Sequence, residues 1–226
     1  MAPGAPGSVW TKVLDVGPVA EHRDYTLSTL PSGDMVLIGG VQVYASPDAG
    51  STWRLVNAAA AFPERAQHAT VVLGSGSLLV IDGSPRLGDV WRSDDGGVTW
   101  SELPGAPWTP RARHAAGVTS SGVVVMMAGS SSDYLGDMWT STTEGASWER
   151  VTAAAPWDAR QDPGFAVLPD DSLLLFGGEG SPGRLRDVWP NVRVKRATTA
   201  GRQARTGDNV PRTARPGLVA CRRRSA

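Results

Sequence analysis

The segment HATVVLGSGSLLVIDGSPRLGDVWRSDDGGVTWSEL, residues 68–103, sets the reading of the whole chain. It holds four short runs, ATVVL (69–73), SLLVID (77–82), GDVWRS (88–93) and TWSEL (99–103), each bounded by Gly, Ser, Asp or Pro. Runs of this length, rich in Val, Ile, Leu and Trp and punctuated by turn formers, are what a tight antiparallel meander requires. A third copy reads AAGVT, GVVVMMA, GDMWTS and SWERV, and a fourth begins GFAVL, SLLLFG and RDVW. No segment keeps a 3.6-residue apolar period for three turns, so a helical reading fails.

Aromatic residues fix the period of these copies. Trp10, Trp53, Trp100 and Trp148 recur at intervals of 43, 47 and 48 residues, while Tyr44, Trp91, Trp139 and Trp189 recur at 47, 48 and 50. The two columns stay in phase, nine residues apart, and a third column of Phe62, Trp108 and Trp157 stands three residues before Arg65, Arg111 and Arg160. All nine tryptophans fall into these columns. A sheet that is apolar on both faces must be covered by its neighbours, so repeated sheets are expected to stack. The expectation is an all-β fold, a β-propeller of about four four-stranded antiparallel blades over residues 8–190. It is flanked by a disordered segment 1–7 and a basic, disordered tail 191–226.

Composition agrees with frequent turns, with 27 Gly and 17 Pro, and Lys only at Lys12 and Lys195. The zero net charge is a sum of opposites. Residues 1–189 hold 12 basic against 21 acidic side chains, a net −9, and residues 190–226 hold 10 against one, a net +9. The step marks a boundary near Trp189. The only cysteine, Cys221, allows no intrachain disulfide and no cysteine metal cage. The opening MAPGAPGSVWTKV lacks a basic n-region and an apolar h-region, and no 18-residue apolar run occurs. A cytoplasmic monomer without a membrane partner is therefore expected.

The order Arg-x-x-His (Arg65 with His68, Arg111 with His114), apolar strand, glycine-ended second strand, Gly-Asp-x-Trp and final Trp resembles Kelch repeats, the galactose-oxidase-like class of propeller. The double glycine of that family stands at Leu37-Ile38-Gly39-Gly40 and Leu175-Phe176-Gly177-Gly178. Ile81-Asp82-Gly83-Ser84 and Met127-Ala128-Gly129-Ser130 keep one glycine. The turn before each final Trp is similar to the Asp-box (BNR repeat) of sialidase-type propellers: SPDAGSTW (46–53), SDDGGVTW (93–100) and STTEGASW (141–148). In these turns Ser46, Asp48, Gly50 and Trp53, then Ser93, Asp95, Gly97 and Trp100, then Ser141, Gly145 and Trp148 are expected to serve structure. The aspartates accept backbone N–H bonds and the glycines adopt positive φ. Thr143 stands where the third aspartate would be.

Chemistry-bearing motifs are few. Gly178-x-Gly180-x-x-Gly183 matches a dinucleotide fingerprint, but Pro182 and RLRDVW follow where a helix N-terminus is needed, so a strand-connecting loop is expected. His68 and His114 occupy equivalent positions without a neighbouring carboxylate and read as strand beginnings, not metal ligands. No HExxH or GxSxG occurs. A sialidase-like site would need an arginine cluster, a tyrosine nucleophile and acidic partners, yet Tyr44 belongs to a packing column and no active-site motif surrounds Tyr25 or Tyr134. A galactose-oxidase-like copper site needs a cysteine within the repeats. No catalytic residue, metal ligand or cofactor is expected.

Aligning the copies places Asp24, Gln67, Arg113 and Asp162 just before each first strand, at one mouth of the channel of a propeller. The resemblance to peptide-binding Kelch domains implies that this register forms a binding surface. The expected function is a non-catalytic interaction module for a protein segment or a glycan. A glycan-active enzyme fragment and a truncated gene product without function of its own are the rivals. Asn191, Arg193 and Lys195 replace the turn residues and Thr198 the final Trp, so the repeat stops abruptly, and the tail is not read as nucleic-acid-binding. Two arrangements are open: residues 9–15 pair with the strand around Leu185 to Trp189 and close a ring, or the copies form an arc of a larger propeller.

Overall fold

The computed structural model describes residues 24–190. The expected pairing of residues 9–15, the Trp10 position, the segment 1–7 and the tail 191–226 lie outside the described residues.

Three sheets follow the meander read from the sequence. The first is β1 (Thr26–Thr29), β2 (Met35–Gly39), β3 (Gln42–Ser46) and β4 (Arg54–Asn57); the second is β5 (Ala69–Val72), β6 (Leu78–Ile81), β7 (Val90–Ser93) and β8 (Ser101–Glu102). The third is β9 (Ala115–Val118), β10 (Val124–Met127), β11 (Met138–Ser141) and β12 (Glu149–Thr152). In the fourth copy β13 (Arg160–Gln161) precedes β14 (Gly164–Val167) and β15 (Leu173–Phe176). Then come β16 (Glu179–Gly180), β17 (Gly183–Arg184) and β18 (Val188–Pro190). Strands β14, β15 and β18 form its three-stranded sheet, and β13, β16 and β17 a small satellite. The stretch 178–183, read as a loop, therefore carries a hairpin that turns at Ser181 and Pro182, with Gly183 at φ of 101° beginning its second strand.

The chain is all-β over the described residues, in blade-like antiparallel sheets. Their first strands run in a row, with β1 against β5, β5 against β9 and β9 against β14. Among the described residues β1 and β14 are not in contact, so no closed ring forms there, and β18 is an edge of its sheet.

Period-two alternation explains why the second strands are apolar throughout. Leu78 and Val80 of β6 pack with Val36, Ile38 and Val43 of the first sheet. Leu79 and Ile81 point the other way, onto Val124 and Met126 of β10. Val125 and Met127 in turn meet Leu173 and Leu175. The third aromatic column inserts between the other two. Phe62 meets Trp100 edge-on at 5.0 Å and Trp91 at 6.3 Å; Trp108 meets Trp148 at 4.8 Å and Trp139 at 6.0 Å; Trp157 meets Trp189 at 6.4 Å. Edge-to-face pairs add about 0.5–1.5 kcal/mol beyond their buried area.

One substitution between copies is resolved by this packing. Trp108 Nε1 donates to Asp82 Oδ2 at 3.1 Å, and the same oxygen accepts the Arg111 N–H at 2.8 Å. The Oδ1 atom takes Gly83 and Gly88 N–H. Burial holds the pKa of Asp82 above its ordinary value, an effect these four donors only partly offset. Where Phe62 replaces Trp108, Gly39 replaces Asp82, and no acceptor is needed. In the next copy Ala128 stands at that position, and Trp157 Nε1 is buried without a hydrogen-bond partner.

Two outcomes are expected. Trp100, 9% exposed, should destabilise the fold by about 3–5 kcal/mol when changed to Ala, read in Tm and denaturant midpoint. Asp82→Ala should cost about 1–3 kcal/mol for each buried donor it strands, and Trp108→Phe in that background should cost less than Trp108→Phe alone.

Candidate functional site

Three buried arginines set the chain's path into the site. The side chains of Arg65, Arg111 and Arg160 are fully buried, and each forms a two-pronged ion pair with the aspartate before the third strand: Asp89, Asp137 and Asp187. Each arginine also donates to the carbonyl ending the second strand, Asp82, Ala128 or Gly177. Each aspartate accepts a further bond from the indole two residues on, Trp91, Trp139 or Trp189, at 2.6–2.8 Å. Hydrogen bonds from Arg111 and Trp139 hold Asp137 below the usual carboxylate range despite burial, and those from Arg160 and Trp189 hold Asp187 lower still. In the first sheet a neutral pair stands in, the Tyr44 hydroxyl donating to Gln42 Oε1 at 3.1 Å.

The turns before the final Trp are built as their sequence implied. Gly50 and Gly97 N–H donate to Ser46 and Ser93 Oγ at 2.8 and 2.9 Å. Asp48 and Asp95 take both the N–H and the hydroxyl of Thr52 and Thr99. Trp53 and Trp100 Nε1 close each turn onto the glycine carbonyl at 3.0 Å. The third turn repeats this with Thr143 Oγ1 accepting the Ser147 N–H at 2.8 Å, Gly145 N–H on Ser141 Oγ and Trp148 Nε1 on the Gly145 carbonyl. These residues hold the hairpin together.

The four residues aligned from sequence, Asp24, Gln67, Arg113 and Asp162, do come together. They line one open cleft of about 310 Å³ at the end of the row of first strands. All four have left-handed backbones, with φ of 64°, 56°, 59° and 48°. Such a conformation is uncommon outside glycine, and it costs of order 1 kcal/mol per residue. Bonds between successive copies offset it: Arg113 N–H donates to the Gln67 carbonyl at 3.0 Å and Asp162 N–H to the Arg113 carbonyl at 2.9 Å. The Arg113 guanidinium reaches Asp162 Oδ2 at 2.8 Å on the rim. Both side chains are substantially exposed there, so the pair adds little stability.

The next residue of each copy, Tyr25, His68, His114 or Pro163, lines the same cleft, and none of the four was expected from sequence to belong to it. The signal was present in the register, since each follows a residue already singled out. His68 Nε2 lies 3.1 Å from Thr26 Oγ1, and its Nδ1 has no partner; neither ring nitrogen of His114 has one. Burial, then the charge of Arg65 or Arg111, lowers the pKa of His68 to about 4 and of His114 to about 3. Each ring is seated by a glycine: a Cβ on Gly83 or Gly129, φ of 122° and 100°, would lie 2.9 or 2.8 Å from the Cβ of His68 or His114.

A larger cleft of about 510 Å³ shares Gln67 and Arg113 and extends over Ser84, Arg86 and Gln161. Among the described residues no group of three or more His, Cys, Asp or Glu side chains is arranged to hold a metal ion. No helix among them is long and apolar enough to cross a membrane. The site can hold a polar ligand between charged rim groups and a floor of neutral imidazoles. Comparison with models of protein families and with curated proteins finds no match to this chain.

The histidines make stability depend on pH. Their folded pKa values lie below the unfolded value near 6.5, so the folded state takes up protons less readily. The stability they confer is complete above pH 6.5 and is lost as pH falls from there toward 4 and 3. The slope should be up to about 1.4 kcal/mol per pH unit for each histidine. His114→Phe should flatten the fall in Tm between pH 6.5 and 4.

Proposed function

We propose that the chain is a β-propeller-type interaction module of Kelch-like repeats with Asp-box-like turns, which binds a polar ligand, a peptide segment or a glycan, at the loop-built mouth. The observation that carries this is convergence: four residues, equivalent in register and far apart in sequence, share one cleft in the same strained conformation. Backbone strain of this kind clusters at sites where side chains are aimed at a ligand, which supports the reading.

A binding role fits the cleft better than a catalytic one. The two imidazoles have low pKa values and no carboxylate to orient them, which makes them weak general bases. The buried arginines that would serve a substrate carboxylate are each engaged by an aspartate.

The test is to probe peptide and glycan arrays with the labelled full chain and its Asp24→Ala and Arg113→Ala variants. Both changes are at exposed rim positions, so Tm should stay near that of the parent. Selective capture by the parent, weakened about tenfold in the variants, is the expected result, as truncating a charged contact costs about 1.5–3 kcal/mol. Capture that ignores both changes, or turnover of glycosides by the parent, would overturn the reading.

A further inference from the structure

Of the clefts at the mouth, the largest differs from its neighbours in charge. Its volume is about 510 Å³, and Arg86 and Arg113, Ser84 and Ser130, and Gln67 and Gln161 line it, with no carboxylate in the lining. A lone surface arginine is ordinary. Here the exposed Arg86 guanidinium forms no hydrogen bond or ion pair among the described residues, and neither do the hydroxyls of Ser84 and Ser130. Asp162 takes Nη1 of Arg113 alone, which leaves Nε and Nη2 open. The backbones that carry these groups are braced. Gly83 and Gly88 N–H both donate to Asp82 Oδ1, and Arg86 N–H donates to the Gly83 carbonyl at 2.5 Å. Gly88 sits against Pro110, where an added Cβ would lie 2.8 Å from Pro110 Cγ. Arg86 itself is held at φ of 74°, a conformation uncommon outside glycine. Ser84 and Ser130 hold equivalent positions, each bonded both ways to a neighbouring backbone: Ser84 with Ala66 at 2.8 and 3.1 Å, Ser130 with Ala112 at 2.9 and 3.0 Å. Guanidinium and hydroxyl donors thus surround one volume on fixed backbones, and among the described residues nothing receives them.

Taking the mouth as the binding face, we infer that this cleft is an oxyanion seat, and that its occupant is the phosphate monoester of a phosphorylated peptide segment. The charge that matters is local, since the whole chain is neutral and the adjoining 310 Å³ cleft sets two aspartates against Arg113. Two forked guanidiniums and two hydroxyls offer more donors than the two oxygens of a carboxylate can use. A phosphate monoester supplies a third oxygen and close to a second negative charge, and guanidinium forks bind it by paired N–H bonds. The adjoining clefts meet this one at different residues. The smaller shares Gln67 and Arg113, and another of about 390 Å³ shares Arg86, Ser130 and Gln161. A linear chain that carries its anion midway fits such a trough. The Gln67 amide offers a peptide backbone both a donor and an acceptor. A sugar ring would want an aromatic face beneath it, and the lining of this cleft has none.

The experiment uses the full chain with ¹⁵N-labelled arginine. The probes are a blocked pentapeptide with a central phosphoserine between glycines and alanines, its serine and glutamate twins, and N-acetylglucosamine 6-sulfate. Side-chain NMR reports the site and calorimetry the affinity. The expected result is that the phosphopeptide moves the Arg86 and Arg113 guanidinium signals and binds about tenfold more tightly than either twin, less so as salt rises. Arg86→Gln, at an exposed position without an internal partner, should keep the parent Tm and lower phosphopeptide affinity about tenfold. Equal binding of the phosphopeptide and its serine twin, an Arg86→Gln variant that binds like the parent, or silence of Arg86 toward all four probes overturns the seat. Equal binding of the glutamate twin overturns the phosphate and assigns a carboxylate in its place. The sulfated sugar moving Arg86 while the phosphopeptide does not overturns the peptide as occupant. The binding face stands or falls separately with Asp24→Ala, because Asp24 lines the smaller cleft and not this one. Array capture weakened by Asp24→Ala while Arg86 stays unmoved sinks the seat and keeps the mouth.

Discussion

The buried guanidinium–carboxylate pair is the interaction on which the geometry rests. A fully buried arginine is tolerated only when its charge and its donors are met, and each of the three is met by one aspartate, one strand-end carbonyl and one nearby carbonyl. Because Arg65 is tied at once to Asp82 and Asp89, it joins the segment leading into a sheet to the end of its second strand and the start of its third. The indole of Trp91 then donates to the second lone pair of Asp89 Oδ2, so the aromatic column and the ionic pair constrain one another. Removing one partner would leave an uncompensated charge in the packed interior.

From that anchor the chain has three residues in which to turn into the first strand. The left-handed residue follows immediately, at Gln67 and Arg113 two positions after Arg65 and Arg111, and the histidine after it is pressed against the glycine of the neighbouring strand end. The mouth is thus rigid by construction. Three of its rim residues, Gln67, Arg113 and Asp162, are bonded backbone to backbone from copy to copy, and the Cβ atoms of its two histidines abut Gly83 and Gly129.

Much of this was legible in the sequence because it repeats. Strand runs, aromatic columns and serine-aspartate-glycine turns each recur at a fixed phase, and aligning them sufficed to bring Asp24, Gln67, Arg113 and Asp162 to one cleft. What did not repeat was hidden. The pairing of Arg65 with Asp89 spans 24 residues and shows no local pattern, and Gln and Arg at positive φ carry no residue-type signal. Third strands begin at Val90 and Val188, two residues later than their apolar runs suggest, because Asp89 and Asp187 are drawn off to the arginines. The strand expected over 99–103 shrinks to Ser101–Glu102 since Thr99 and Trp100 belong to the turn. The histidines were visible, but the contrast between them was not, since His68 meets the Thr26 hydroxyl where His114 has only Ala69 beside it, which only a comparison of neighbouring strands exposes.

Among the described residues three of the four copies carry an ionic lock and three a closing turn, and each first strand touches only those of adjacent copies. Stability in such an array is close to a sum of unit terms and nearest-neighbour terms. Recombination between copies at matching phase would therefore splice one lock onto the next without a mismatch, and chain length can change in whole-sheet increments. Every increment would also add one rim residue and one floor residue to the mouth. Mouth size and sheet number are, in this architecture, a single heritable quantity.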